Sequence, residues 1–241
     1  MSNQKKIEQA GLNYDKIIFK EDILPIRIYK YQINKRNSKI DQLVGKVSVA
    51  LDIGCGTGFH TQELMKKAEK VISTDVSFNA VRNAKKKVSN RKVDFLVCDA
   101  SMIPLVNDSV DMTLVSGVLH HIPEKIPKSL GDISKITKNQ ILLDEPNKIL
   151  PWYIIMKLSR ADPVGNETPL AADTIIEELK KNGFNEISVS YWGFLVQIAL
   201  GIHLNFLVKF LEQMEENLQN LLGKRFYFRW TINAKKSKNG N

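Results

Sequence analysis

Between residues 46 and 147, short apolar, β-branched runs alternate with stretches whose apolar residues recur at helical spacing. The runs are VSVALDIG (47–54), KVISTDVS (70–77), VDFLVCDA (93–100), a segment within SVDMTLVSGVLHHI (109–122), and NQILLDEPN (139–147). Between them, TQELMKKAEK (61–70), NAVRNAKKKVSN (79–90) and PEKIPKSLGDISKIT (123–137) predict helices, the second amphipathic with a basic face. Strands that alternate with helices predict an α/β fold, a parallel sheet with helices on both faces. Residues 1 to about 46 read as helical and basic, with Pro25 as a break. After Asn147 the pattern becomes irregular up to Leu170. A helix over 171–184 follows, closed by Gly183, and then two strands, NEISVSYW (185–192) and RFYFRWTINAK (225–235). Between those strands lies a long apolar helical segment, about 194–222. The expected organisation is therefore an N-terminal helical cap (1–45), a ligand-binding core (46–146) and a C-terminal half of the same domain (147–241) carrying the insertion.

Composition changes this picture little. The chain has 241 residues, 43% hydrophobic and 25% charged, enough to bury a sizeable core. Two cysteines, Cys55 and Cys98, argue against a disulfide scaffold and fit a reducing interior. No Cys/His spacing suits a metal, and the first sixteen residues have no apolar core of the secretory kind, so a cytoplasmic protein is expected. The net charge of +9, with lysines crowded near both ends, is compatible with a solvated surface or with attraction to anionic partners.

The chemistry concentrates where the first strand ends, in LDIGCGTGFH. Glycines at 54, 56 and 58 let a backbone turn sharply and let a ligand approach it. Phe59 occupies the place of the third dinucleotide-type glycine, and no Lys-Ser/Thr follows Gly58, so both phosphate-binding loop types are disfavoured. Asp52 would repel a pyrophosphate but attract a cationic amine. Loop N–H groups near a helix N-terminus suit a carboxylate. Asp75 follows at the end of the second strand, where a carboxylate accepts bonds from ribose hydroxyls; it is also placed to cap the next helix, as is Ser77. Asp99 ends the third strand and suits an adenine amino group, with the Ala100 N–H on a ring nitrogen, or else a plain turn.

These residues together resemble a class I S-adenosylmethionine-dependent methyltransferase of the small-molecule, type 11-like kind. LDIGCGTG is similar to the family's first motif, VISTDVS to its second, VCDA to its adenine-contacting segment, and VDMTLVSGVLHHIPE to its fourth. The resemblance covers about residues 46–146. It implies a Rossmann-like, doubly wound, seven-stranded and mostly parallel sheet with an antiparallel last strand. It implies S-adenosyl-L-methionine as cofactor, bound by Asp52, Gly54, Cys55, Gly56, Gly58, Asp75, Val76, Asp99, Ala100 and Ser116.

Methyl transfer from a sulfonium needs mainly an acceptor held in line and shielded from water, with a base only where the acceptor keeps its proton tightly. His120 or His121 is a candidate base or positioning group, or one lines the cofactor while the other packs. Glu145 faces the acceptor or shapes a turn. Tyr14 is a candidate to close over the methionyl end. The fourth-strand sequence SGVLHHIP lacks the Asn/Asp-Pro-Pro-aromatic signature of base N-methylation, and neither cysteine suits covalent RNA chemistry, so nucleic acid is disfavoured as acceptor. A small-molecule or lipid-like acceptor remains. In the 194–222 segment, Gln197, Gly201, Asn205, Lys209 and Gln213 form a drifting polar stripe. It reads as a lid, a core helix or an amphipathic helix on a membrane, rather than a span. The competing reading is a non-catalytic peripheral membrane or nucleic-acid-binding protein that retains the fold.

Overall fold

The computed structural model describes residues 24–148, 168–193, 207–224 and 227–237. Tyr14, most of the irregular segment after Asn147 and residues 194–206 of the insertion lie outside them.

Helix α1 (Leu24–Leu43) precedes β1 (Val47–Ile53), α2 (Phe59–Leu64), β2 (Ala68–Asp75), α3 (Phe78–Lys87) and β3 (Val93–Val97). Then come β4 (Val110–Ser116), α4 (Ile126–Ile136), β5 (Thr137–Pro146), α5 (Ala172–Lys181), β6 (Phe184–Trp192), α6 (Val208–Leu222) and β7 (Arg229–Lys236). Two 3₁₀ turns, Leu119–His121 and Pro123–Lys125, join β4 to α4. The seven strands form one sheet in the order β3-β2-β1-β4-β5-β7-β6. The first five run parallel, and β7 is antiparallel to both β5 and β6. The order reverses between β1 and β4, so their carboxyl ends flank a crevice where open α/β sheets hold ligands.

Alternation along the strands sorts the core into two layers. Leu51, Ile53, Val115, Ile141 and Leu143 face α4 and α5, whose Leu130, Ile133, Ile175 and Leu179 are fully buried against them. Ala50, Met112, Leu114 and Leu142 face the other way, against Ile40 and Val44 of the α1 end and Leu64 of α2. Strands buried on both faces read as near-continuous apolar runs, which is why β1, β4 and β5 were legible.

Pro25 is the second residue of α1, where its missing N–H costs nothing, and the residues before Leu24 lie outside the described ones. Two expectations are corrected. The helix after the glycine loop ends at Leu64, and Ala68–Lys70, expected inside it, already pair with β1 through Val47↔Ala68 and Val49↔Lys70. There ladder pairing and burial of Ala68 and Val71 override helix propensity. The last strand begins at Arg229, later than its aromatic approach suggested.

Of the insertion, α6 lies within the described residues. Its Lys209 and Gln213 are exposed, Phe210 is 62% exposed, and Glu215 is buried and accepts the Gly193 N–H at 3.0 Å. Among the described residues no helix is long and apolar enough to cross a membrane.

Leu130 has no exposed surface and sits at the centre of the layer between α4 and the sheet. Leu130→Ala is expected to lower the unfolding free energy by about 2–5 kcal/mol, read from urea denaturation. A loss below about 1 kcal/mol would show that this layer is not the packed core described.

Candidate functional site

The glycine loop leaves β1 with three left-handed residues, Gly54 (φ 73), Gly56 (φ 52) and Gly58 (φ 81). At two of them space as well as backbone demands glycine. A Cβ on Gly54 would lie 2.2 Å from Val118 Cγ2, and one on Gly58 would lie 2.8 Å from Val88 Cγ2. Gly56 differs: among the described residues, beyond its own chain neighbours, nothing lies within 4 Å of its would-be Cβ, so the loop is open there. Gly54 and Cys55 both donate their N–H to the Thr74 carbonyl at 2.8 Å, which ties the loop to β2. Cys55 is buried, and burial pushes its thiol far up, so it packs as a thiol and not as a nucleophile.

Among the acids at the carboxyl edge, Asp75, Asp99 and Glu145 each have their charge met. Asp75 accepts the Gly56 N–H on Oδ2 and the Ser77 N–H on Oδ1, each at 2.9 Å. It therefore holds the loop in shape, while Ser77 caps α3 by accepting the Ala80 N–H at 3.2 Å. Asp99 Oδ1 accepts from the Ser101 N–H and hydroxyl, both 2.8 Å, and Oδ2 from Lys125 Nζ at 3.1 Å. Partial burial works to raise its carboxyl, but these partners hold it below the usual range. Glu145 is fully buried; Oε1 accepts the Val118 and Leu119 N–H groups at 2.9 and 2.8 Å, and Oε2 meets His120 Nδ1 at 2.6 Å. Burial works to raise its carboxyl, and His120 with the two amides holds it down.

Asp52 is the exception. It is 1% exposed, and among the described residues its carboxylate accepts from the Thr61 hydroxyl alone, at 2.6 Å. Burial raises its pKa to about 7, the Thr61 bond opposes this, and the nearby Asp75 charge adds to it. A buried carboxylate this poorly paired is complementary to a cation.

Two buried hydroxyls point the same way. Thr57 Oγ1, in the glycine loop, and Ser116 Oγ, at the end of β4, have no hydrogen-bond partner among the described residues. Val76 (36%), Phe78 (59%), Val97 (45%) and Met102 (69%) are exposed apolar side chains at or just beyond the carboxyl ends of β2 and β3. A polar cradle beside an apolar shelf suits a ligand with a charged amino-acid end and a flat aromatic end.

Glu145, considered at the sequence level as a group facing the acceptor, has no exposed surface and all its charge committed to the turn after β4. It is a positioning residue, the turn-shaping alternative. His120 is 5% exposed, and its Nδ1 lies 2.6 Å from Glu145 Oε2, which fixes the orientation of the ring. His121 is half-buried, its ring centroid 3.9 Å from that of His120. Sequence reasoning missed Thr61, Thr57, the half-buried Arg36 and the buried Asp144 and Arg229. Thr61 is the first polar residue inward on α2, a signal that helix phase offered. The arginines come together only through sheet register. Among the described residues no cluster of His, Cys, Asp or Glu is able to hold a metal.

Strand order, glycine loop and acid placement define the class: the fold is that of the class I S-adenosylmethionine-dependent methyltransferases. Within it, residues 51–142 match the family model described as a methyltransferase domain. A malonyl-[acyl-carrier protein] O-methyltransferase of Hamiltonella defensa is 36% identical over 67 residues, 28% of this chain and 25% of that protein. A demethylmenaquinone methyltransferase of Renibacterium salmoninarum is 23% identical over 139 residues, 57% of each. The chain thus matches between a quarter and just over half the length of these curated relatives. The magnesium protoporphyrin IX methyltransferase of Synechocystis, solved with bound SAH, superposes with a TM-score of 0.65 at 15% identity, covering 97% of this chain and 98% of that one.

In the unliganded chain Asp52 holds its proton between the usual 3.8 and about 7, where the unfolded chain has lost it. The folded state binds more protons there, so stability falls as pH rises through that window. Asp52→Asn is expected to flatten this fall: urea midpoints at about pH 5 and about pH 8 should differ less than in the wild type. An undiminished difference would contradict the placement of Asp52.

Proposed function

We propose that the protein is an S-adenosylmethionine-dependent methyltransferase acting on a small-molecule or lipid-like acceptor. The observation that carries this reading is Asp52, a buried carboxylate answered by one hydroxyl beside an open glycine loop. The methionyl amine is the cation it lacks. The N–H groups of Gly54, Cys55, Gly56 and Gly58 are already donated within the protein, so the methionyl carboxylate falls to the Thr57 N–H and hydroxyl, with Cys55 packed in the same loop. Asp75, which holds the loop through the Gly56 and Ser77 N–H groups, is the acid placed at the end of β2 for the ribose hydroxyls. Val76, Asp99 and the Ala100 N–H bound the adenine, and Ser116 supplies its hydroxyl beside the methionyl end. When bound, S-adenosylmethionine supplies a methyl group on a positively charged sulfur, already an electrophile.

This chain's residues then have to bind the acceptor, align it and keep water out. His120, oriented by Glu145, is the group at this edge able to take a proton from a hydroxyl or an acidic carbon. The acceptor class is supported by the names of the two curated relatives, a malonyl-carrier O-methyltransferase and a demethylmenaquinone methyltransferase. The missing fourth-strand signature for base N-methylation supports it as well.

The test is incubation with methyl-labelled S-adenosylmethionine and separated lipid, small-molecule and RNA fractions of the source cell. Label is expected in a lipid or small-molecule fraction. Asp75→Ala, which loses both the ribose contact and a loop tether, is expected to abolish cofactor binding in equilibrium dialysis. Label confined to RNA would overturn the acceptor reading, and cofactor binding without transfer to any fraction would favour a non-catalytic protein that keeps the fold.

A further inference from the structure

Helix α1 covers the half of the sheet that lies beyond β1, and three of its polar side chains reach inward. Arg36 Nε donates to Asp144 Oδ1 at 2.9 Å, Asn37 Oδ1 lies 2.7 Å from His60 Nδ1, and Lys39 Nζ donates to Ser190 Oγ at 3.0 Å. Asp144 sits one residue before Glu145 on β5, so its side chain points to the opposite face of the sheet. A second guanidinium meets it there. Arg229, the first residue of β7, donates from Nε to Asp144 Oδ1 at 2.8 Å and from Nη2 to the Asp144 carbonyl at 3.3 Å. Asp144 Oδ2 is taken by the Thr231 hydroxyl at 2.7 Å and the Trp192 indole N–H at 3.2 Å.

Among the described residues, two guanidiniums in this cluster are bonded to one carboxylate. The side chains of Arg36, Arg229 and Asp144 are 11%, 7% and 4% exposed. Two guanidiniums thus share one carboxylate whose oxygens are already fully used. His60 adds no charge: burial first, and then Arg36, push its pKa down to about 3. Glu145, the next acid, spends its hydrogen bonds on Val118, Leu119 and His120 on the other face, and reaches Arg229 only through its charge. Three guanidinium nitrogens, both Nη atoms of Arg36 and Nη1 of Arg229, donate to none of the described residues. Fastening α1 to β5 needs only one arginine. The second leaves guanidinium N–H groups that the described residues do not use, a fork that an anion would complete.

The position gives that anion its role. Asp144 lies directly across from Ser116 on β4, whose buried hydroxyl is without a partner among the described residues. The cluster is therefore one strand further along the carboxyl edge from the proposed methyl-donor site, on the acceptor side. We propose that Arg36 and Arg229 are the receptor for a carboxylate carried by the acceptor molecule, a binding handle distinct from the atom that is methylated. This rests on the methyltransferase reading for the word acceptor, though not for the anion site itself. A guanidinium fork matches a planar carboxylate through paired N–H···O bonds, which a compact ammonium cannot reproduce. A carboxylate so held has its lone pairs tied up in charge-assisted bonds, and is a poor nucleophile. The methyl group therefore goes to another atom of the same molecule, nearer Ser116.

The experiment uses the full chain, first shown to bind S-adenosylhomocysteine, and then titrated at constant ionic strength with butyrate, butyramide and inorganic phosphate by calorimetry. Butyrate is expected to bind at one site, with butyramide and phosphate at least about tenfold weaker. Arg36→Gln and the charge-retaining Arg36→Lys are each expected to weaken butyrate by about tenfold. Near-UV circular dichroism checks their folds, and the lysine variant carries the test if the glutamine variant does not fold. The proposal is overturned if the wild type does not bind butyrate, if butyramide or phosphate binds as well, or if both variants bind butyrate like the wild type. Absence of S-adenosylhomocysteine binding counts instead against the methyl-donor reading. The same titration on the unliganded chain then judges the arginine site alone.

Discussion

The structure turns on how buried carboxylates at the carboxyl edge of the sheet are neutralised. A buried carboxylate without a partner costs several kcal/mol, roughly enough to cancel much of a domain's stability, so each one must be answered. Glu145 is answered by two amide N–H groups and His120, which fixes the turn after β4. Asp144 is answered by Arg36 and Arg229, which binds α1 and β7 to β5. Asp75 is answered by the Gly56 and Ser77 N–H groups, which shapes the glycine loop and leads into α3. Asp52 is left with the Thr61 hydroxyl and rises to about 7 instead. Three acids build the site, and the fourth is poised for a cationic ligand.

Adjacent residues on β5 show how strand geometry distributes these tasks. Asp144 and Glu145 are neighbours in sequence but face opposite layers. One orients His120, the other anchors α1 to β5. A one-residue slip of β5 would exchange their environments, setting Glu145 against two arginines and Asp144 against backbone amides. The ladder of β5 on β4, with Leu142 and Leu143 buried on opposite faces, is what prevents it.

Much of this was legible in the sequence. The five parallel strands were readable because both faces of each central strand are apolar, and the loop because three glycines at alternate positions have few other uses. Asp52, Asp75 and Asp99 could be placed because each ends or nearly ends a strand. Hidden from the sequence were the facts set by pairing between distant strands. Arg36 and Arg229 stand 193 positions apart by number and meet only because β7 inserts between β5 and β6. Glu145 looked available for an acceptor, since nothing local announces that two N–H groups from the turn after β4 will fold back onto it. Ala68–Lys70 looked helical because the pairing that recruits them to β2 comes from β1.

The central claim is that the glycine loop and Asp52 read a cationic methionine rather than phosphates. Its most direct test is side-by-side calorimetry of S-adenosylmethionine, S-adenosylhomocysteine, NAD and ATP on the same preparation. Saturable one-site binding of the two adenosyl sulfur compounds, with neither NAD nor ATP competing, is the predicted result. Tighter binding of NAD or ATP, or no binding of S-adenosylmethionine, would contradict it.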